Sequence, residues 1–289
     1  MKKLYFLTVV IVAVFASCTN KPSDLVLNVM SFNIRYDEPR DSLNNWQYRK
    51  DFAASLICFH DVDIVGAQEV LNNQLEDLKT RLPEYSTLGV GRLDGKTEGE
   101  YSSIFYKTSK FDVQKSGNFW LSEDINAVGK KGWDAACERI VTWAIFKDKA
   151  TQKEFFFLNT HFDHIGEVAR SESAKLILEK TKELSEGLPI IATGDYNAEP
   201  TSLVIAAITD KSNPNNLINA RDIAKLVHGP GNSFHAYGNI PYEKRVLIDY
   251  IFVKGNVTVN RIATLTETYN ATYLSDHYPV LATVVIENN

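Results

Sequence analysis

The chain of 289 residues is poor in the residue types that mark specialised scaffolds, with 3 cysteines, 9 prolines and 15 glycines. So few cysteines exclude a disulfide-stapled mini-protein, and so little glycine and proline excludes collagen-like and low-complexity chains. No excess of positive charge is present either. With 31 basic and 36 acidic side chains the formal net charge is −5, which removes the overall basic footprint that holds long nucleic acids by counterion release. No Gly-x-Ser-x-Gly elbow occurs, and no Pro/Gly/Ser-rich linker, charge block or internal repeat divides the chain. What remains, 44% hydrophobic and 23% charged, is the composition of a folded enzyme with room for a sizeable core.

The one long apolar run, Leu4 to Ala16, follows Met1-Lys2-Lys3 and fits the charged and hydrophobic regions of a secretory signal. It is too short to span a bilayer comfortably. Phe15-Ala16-Ser17-Cys18 is similar to a bacterial lipoprotein processing site, which would make Cys18 the lipidated first residue; Val14-Phe15-Ala16 leaves open an ordinary signal peptidase instead. The expected organisation is a signal peptide over 1–17, a tether over 18–24 and one domain over 25–289. The expected address is the outer membrane or cell surface through a lipid on Cys18, or otherwise the periplasm or medium, with the protein a monomer. Cys58, on what reads as the apolar face of a helix, and Cys137 are taken as packed thiols, their pairing left open.

Segments rich in β-branched and aromatic residues predict strands over 26–32, 63–66, 102–107, 111–116, 140–146, 154–159, 190–193, 247–253, 257–264 and 280–286. Between them, Trp46, Phe52, Leu56 and Phe59 recur at helical spacing, as do Ala174, Ile177, Leu178, Thr181 and Leu184, while Leu71, Leu75 and Leu78 mark a third helix. Many strands with few helices predict an α/β fold, a four-layer sandwich of two packed mixed sheets with helices on the outer faces.

Polar residues follow apolar strand runs in six places: Ser31-Phe32-Asn33-Ile34-Arg35, Gly66-Ala67-Gln68-Glu69, Asn159-Thr160-His161-Phe162-Asp163-His164, Gly194-Asp195-Tyr196-Asn197, Ile248-Asp249-Tyr250, and Ser275-Asp276-His277-Tyr278. Strand ends are where functional groups collect over a rigid sheet. Each has a plain reading too. Glu69 suits a helix N-cap, Asp195 with Asn197 suits a turn, a lone His277 suits a structural role, and Asp249 suits a buried ion pair. Together they supply something more specific. The hard oxygens of Glu69, Asp276 and Asp195, with the amides of Asn33 and Asn197, suit Mg²⁺ or Mn²⁺, and two histidines with Asp249 supply proton transfer.

In this order and spacing the segments resemble the motifs of the endonuclease/exonuclease/phosphatase superfamily, metal-dependent phosphoesterases of DNase I-like fold, over about residues 29 to 284. Phe119-Trp120-Leu121-Ser122-Glu123 and the stretch from Gly132 to Trp143 resemble a bacterial branch related to its deadenylase-like members. The resemblance implies that Glu69 is the main metal ligand, with Asn33 and Asp276 close to the same ion. It implies that Asp195 orients or deprotonates the attacking water, that Asn197 holds a phosphate oxygen, and that His277, paired with Asp249, donates to the phosphoryl group. His161, Arg139 and Asn159 would be further phosphate contacts. The chain departs from the pattern at Arg35, where some family nucleases carry a carboxylate, and at Ser233-Phe234-His235, where the branch more often has Gly-Thr-Phe.

Two rival readings stand beside this one. His161-Phe162-Asp163-His164 is compatible with a zinc hydrolase, although the further histidine segments of a dinuclear site are missing. A surface lipoprotein that only binds a glycan or nucleotide would use aromatics such as Trp120, Trp133 and Tyr237; Trp120 and Tyr237 are equally the expected stacking surface for a substrate base or sugar. Acidic charge and the signal favour a small phosphoester or short nucleic acid as substrate over long duplex DNA.

Overall fold

Along β1 (Leu25–Asn33) the side chains alternate between two interiors, as the pleat dictates. Leu25, Leu27 and Val29 enter a core between two sheets, whereas Met30 and Phe32 face a layer of helices. The same alternation governs the other central strands and explains the four layers. The computed structural model describes residues 1, 3, 23–270 and 272–288. The signal-like run and Cys18 lie outside the described residues.

After β1 come α1 (Trp46–Phe59), β2 (Ile64–Val70), α2 (Asn72–Arg81), β3 (Tyr85–Leu88), β4 (Tyr101–Lys107), β5 (Phe111–Trp120), β6 (Ile140–Asp148) and β7 (Glu154–His161). The chain continues through α3 (Glu167–Leu184), β8 (Ile190–Asp195), α4 (Leu203–Thr209), β9 (Ile218–Asn219), α5 (Ala220–Ile223), β10 (Leu226–His228), β11 (Asp249–Lys254), β12 (Val257–Thr264), β13 (Thr268–Tyr269), β14 (Thr272–Tyr273) and β15 (Val280–Ile286). One sheet has the order β10-β12-β15-β1-β2-β4-β3, the other β5-β6-β7-β8-β11-β9, and β13 and β14 form a separate hairpin. Both sheets are mixed: β1 runs parallel to β2 and β7 parallel to β8, while β15 and β11 pair antiparallel to β1 and β8. Ile104, Phe146, Phe157, Ile251 and Val284 fill the space between the sheets. α1 and α2 cover the first sheet through Trp46, Ile57 and Leu78, and α3 and α4 cover the second through Ile177, Leu178 and Ile205. This is the predicted α/β sandwich.

All ten predicted strands are present, most of them longer than the apolar run that marked them. The helical face of α1 is a correction. Trp46 and Leu56 are buried with Arg49, Ala53, Ala54 and Ile57, but Phe59 is exposed, and so is Cys58. Cys58 and Cys137 are both free thiols.

At one end of the inter-sheet core the residues that would continue the apolar rows are polar: Ser31 and Asn33 on β1, Gln68 on β2, Asn159 and His161 on β7, Thr193 and Asp195 on β8, and Asp249 on β11. The sheets approach closely there, and a Cβ on Gly66 would strike Thr193 Oγ1 and lie 2.6 Å from Asn159 Oδ1. Gly66→Ala is therefore expected to destabilise the protein by about 1–3 kcal/mol as an overpacked core. Thermal unfolding measures this, and an unchanged melting temperature would contradict the packing described.

Candidate active site

The floor of the site is set by strand register. His161 pairs with Asp195 across β7 and β8, and Asp195 with Asp249 across β8 and β11, so three functional side chains line up at one sheet end. His277 arrives from the segment before β15, which is fixed by a bridge between Phe234 and His277 and by Ser233 Oγ accepting from the Ile248 and Asp249 N–H groups. Its Nδ1 donates to Asp249 Oδ2 at 2.8 Å, and its Nε2 lies 3.8 Å from Asp195 Oδ2. Burial alone would neutralise this imidazole, but the Asp249 charge and hydrogen bond, aided by Asp195 and Asp276, raise its pKa to about 10. Asp195 moves in the opposite sense to an ordinary carboxylate. Burial, then the neighbouring Asp249 charge, push it up to about 7 against the pull of His277, the Asn197 N–H and Asn33.

Glu69 stands at an irregularity. The β2–β4 register shifts between Ala67 and Val70, and Glu69 has φ 60, so a bulge turns its side chain out of the pleat toward the pocket. It caps no helix, since α2 starts at Asn72 behind Leu71. Asn33 Nδ2 donates to Glu69 Oε1 at 3.0 Å and the Tyr36 N–H to Oε2 at 3.1 Å. Arg35 projects between Glu69 and Asp276, at 3.8 Å and 3.9 Å, while bonding Asp41 more tightly at 3.0 Å. Glu69 and Asp276 thus keep carboxylate oxygens facing the pocket with no close bond from Arg35, a hard-oxygen pair of the kind that holds Mg²⁺ or Mn²⁺. Asn33 plays a bridging part. Its amide oxygen accepts from the Arg35 N–H and its amino group spans Glu69 and Asp195, so the oxygen read as a metal contact is turned elsewhere.

Asp195, Asp249 and His277 also lie close enough together to hold an ion. The cationic imidazole fills that place. A metal there would have to displace the His277 proton that Asp249 stabilises.

On the far wall, Asn197, at φ 46, donates from Nδ2 to His161 Nε2 at 3.0 Å and to the Phe162 carbonyl, and its N–H donates to Asp195 Oδ1. Turn and site are one feature here. His161 accepts through Nε2 and is held neutral by burial and by Arg139 and Arg92, so its Nδ1 bears the proton and points toward Glu100 at 3.9 Å. Arg139 is buried beside Asp163 and His164, with Nη1 unpartnered, and lines the pocket.

Four expectations are corrected by the contacts. Asn159 touches no pocket; its amide bonds Ala67, Ser103, Gln68 and Thr193 and ties the two sheets together. Trp120 is buried, with Nε1 donating to the Arg92 carbonyl, and offers no stacking face. Tyr237 packs over Arg49 with its hydroxyl toward Asp41, outside the pocket lining. Asp163, central to the zinc reading, lies with Cys137 and His164 close enough to hold an ion, but both its oxygens already accept, from the Cys137, Ile165 and Gly166 N–H groups and Arg139. The pocket, about 390 Å³, is further lined by His164 and by Arg92 and Glu100, the last two singled out by no strand-end motif. A usable signal was the cluster Gly89, Gly91, Gly95 and Gly99, which marks a folded loop between two strands.

The model of the Endonuclease/Exonuclease/phosphatase family matches residues 30–277. An endonuclease/exonuclease/phosphatase from Bacteroides vulgatus is 49% identical, covers 91% of this chain and 100% of its own, and superposes with a TM-score of 0.88. A mannosyl-6-phosphatase from Bacteroides thetaiotaomicron is 41% identical over 89% of this chain and 99% of its own, with a TM-score of 0.85. Among curated proteins, a probable CCR4-Not complex 3'-5'-exoribonuclease subunit of Vairimorpha ceranae is 26% identical over 203 residues, 62% of this chain and 42% of that protein. The chain spans at most 61% of the length of the curated relatives it matches.

Proposed function

Since the chain belongs to the Endonuclease/Exonuclease/phosphatase family, we propose that it hydrolyses a phosphate ester by in-line attack of a water on phosphorus, with Mg²⁺ or Mn²⁺ held by Glu69 and Asp276. The observation that carries this reading is the His277 imidazolium fixed between Asp249 and Asp195 beside two carboxylates open to the pocket. When bound, the cation supplies charge neutralisation for the phosphoryl oxygens. Asp195, with its raised pKa, is the group that orients the water and takes its proton. His277 donates through Nε2 to a non-bridging oxygen as negative charge builds, and Asp249 is the positioning residue that keeps it charged. The N–H groups of Asn197 are spent on Asp195, His161 and the Phe162 carbonyl, so Asn197 is a positioning residue for Asp195 and His161.

A small phosphomonoester is the substrate class we favour. The pocket is of small-molecule size, and the similarity to a mannosyl-6-phosphatase supports a phosphorylated sugar. Metal binding gives the test. Calorimetric titration with Mn²⁺ is expected to detect binding that Glu69→Gln weakens at least about tenfold, and a chelator is expected to abolish turnover. Binding and turnover indifferent to Glu69 and to chelation would remove the metal from this account. For the N-terminus we propose export with a lipid on Cys18, tested by fatty-acid labelling that Cys18→Ala abolishes; labelling that survives the substitution contradicts it.

A further inference from the structure

The pocket has a second half that the phosphate chemistry leaves unused. The segment between β3 and β4 folds back on itself through bonds of the Arg92 N–H to the Glu100 carbonyl and the Leu93 N–H to the Glu98 carbonyl. It is seated against the end of β5, where Trp120 Nε1 donates to the Arg92 carbonyl. On this loop Arg92 grips Glu100 with two parallel bonds, Nη1 to Oε2 at 2.7 Å and Nη2 to Oε1 at 2.8 Å. Such a fork fixes the carboxylate plane and leaves a second lone pair on each oxygen. Both side chains line the pocket beside Arg139 and His161.

Two donors beside Glu100 are buried without a partner: Arg139 Nη1 and His161 Nδ1. Buried donors left unmet are costly, and their convergence on one side of a pocket points to a ligand that meets them. The required partner has hydroxyl groups. A hydroxyl donates to a carboxylate and accepts from a guanidinium or imidazole at once, whereas an aryl or simple alkyl group satisfies none of these atoms.

We propose that Glu100, held by Arg92, reads hydroxyl groups on the leaving-group side of the substrate, with Arg139 and His161 as the matching donors, so that the enzyme selects phosphorylated sugars or polyols. The inference rests on the phosphoesterase reading and adds to it the residues that determine specificity. Arg92 acts as a positioning residue; Glu100 touches the substrate. Sites built to bond a substrate hydroxyl reject analogues lacking it by large factors, since the site's own groups are then unpaired.

The test compares kcat/KM for mannose 6-phosphate, glucose 6-phosphate and glycerol phosphate with that for 4-nitrophenyl phosphate, in wild type, Glu100→Ala and Glu100→Gln. Wild type is expected to prefer at least one hydroxylated substrate, and Glu100→Ala is expected to lower the ratio of sugar to aryl kcat/KM about 100-fold, most of it in KM. The ratio is independent of the fraction of protein folded, so partial unfolding of a variant does not obscure it. Glu100→Gln, which presents donors on one side, is expected to fall between the two. A ratio unchanged in both variants, or a wild type that favours the aryl ester over every hydroxylated substrate, overturns the proposal while leaving the phosphoesterase reading standing. Absence of metal-dependent turnover on all four substrates overturns both.

Discussion

Asp195→Asn is expected to reduce kcat about 10²- to 10⁴-fold, the range for removing a general base, while leaving the fold and melting behaviour close to wild type. The substitution is nearly isosteric, and the new amide oxygen keeps the Asn197 N–H bond made at Oδ1, while the Asn33 Nδ2 bond to Oδ2 is given up. What disappears is the carboxylate that accepts the water proton. His277→Ala removes a charged donor to the phosphoryl oxygens and is expected to reduce kcat about 10²- to 10³-fold. The double variant is expected to lose far less than the product of the two, because the groups act as one proton-handling unit. Steady-state kinetics on the folded variants check this; activity within a few-fold of wild type in either single variant would contradict the roles of Asp195 and His277.

The second large effect concerns pH. Asp195 must be ionised to take a proton, and its pKa, raised to about 7, places the rising limb of kcat at or below about pH 7, lower when a cation occupies Glu69 and Asp276. His277 must be protonated to donate, and its pKa of about 10 places the falling limb there. The limbs belong to the coupled Asp195–His277 pair as a whole. Asp249→Asn removes the charge that raises both groups. The sign is the same for each: without Asp249, His277 loses its proton at lower pH and Asp195 loses its proton at lower pH. The whole profile is therefore expected to move to the acid side, with lower kcat at its maximum. A profile that keeps both limbs in place would contradict the Asp249–His277 contact at 2.8 Å as the source of the shifts.

Much of the site is legible in the sequence because strand period and chemistry coincide. Asn33, Asp195 and Asp249 stand in register with apolar residues that read as strands, so the same alternation that buries Leu27, Ile191 and Ile251 delivers them to one end of the core. The family resemblance pairs Asp249 with His277, and the fold brings them together from 28 residues apart. The features that the sequence hides have physical reasons. Asn159 looks the same in sequence as a site residue at a strand end, yet its place on β7 lies one pleat deeper than His161, between the sheets. Glu69 reaches the pocket through a bulge, which an apolar pattern does not announce. Arg92 and Glu100 sit on a loop whose internal hydrogen bonds carry no periodic signal. Arg49, which the apolar spacing of α1 does not mark, is fully buried, its guanidinium donating to the carbonyls of Asn44, Ile34, Leu274 and Arg35, and it holds the loop that presents Arg35.

The central claim, that one pocket combines a proton-handling Asp195–His277–Asp249 unit with a cation at Glu69 and Asp276 to break phosphate esters, is tested most directly by phosphate release. The assay uses mannose 6-phosphate and 4-nitrophenyl phosphate with Mg²⁺ or Mn²⁺, for wild type and Asp195→Asn side by side, with and without a chelator. The account predicts release by wild type that stops on chelation and falls at least about 100-fold in the variant. Release that persists in the variant or after chelation, or a folded wild type that releases nothing from either ester, would contradict it.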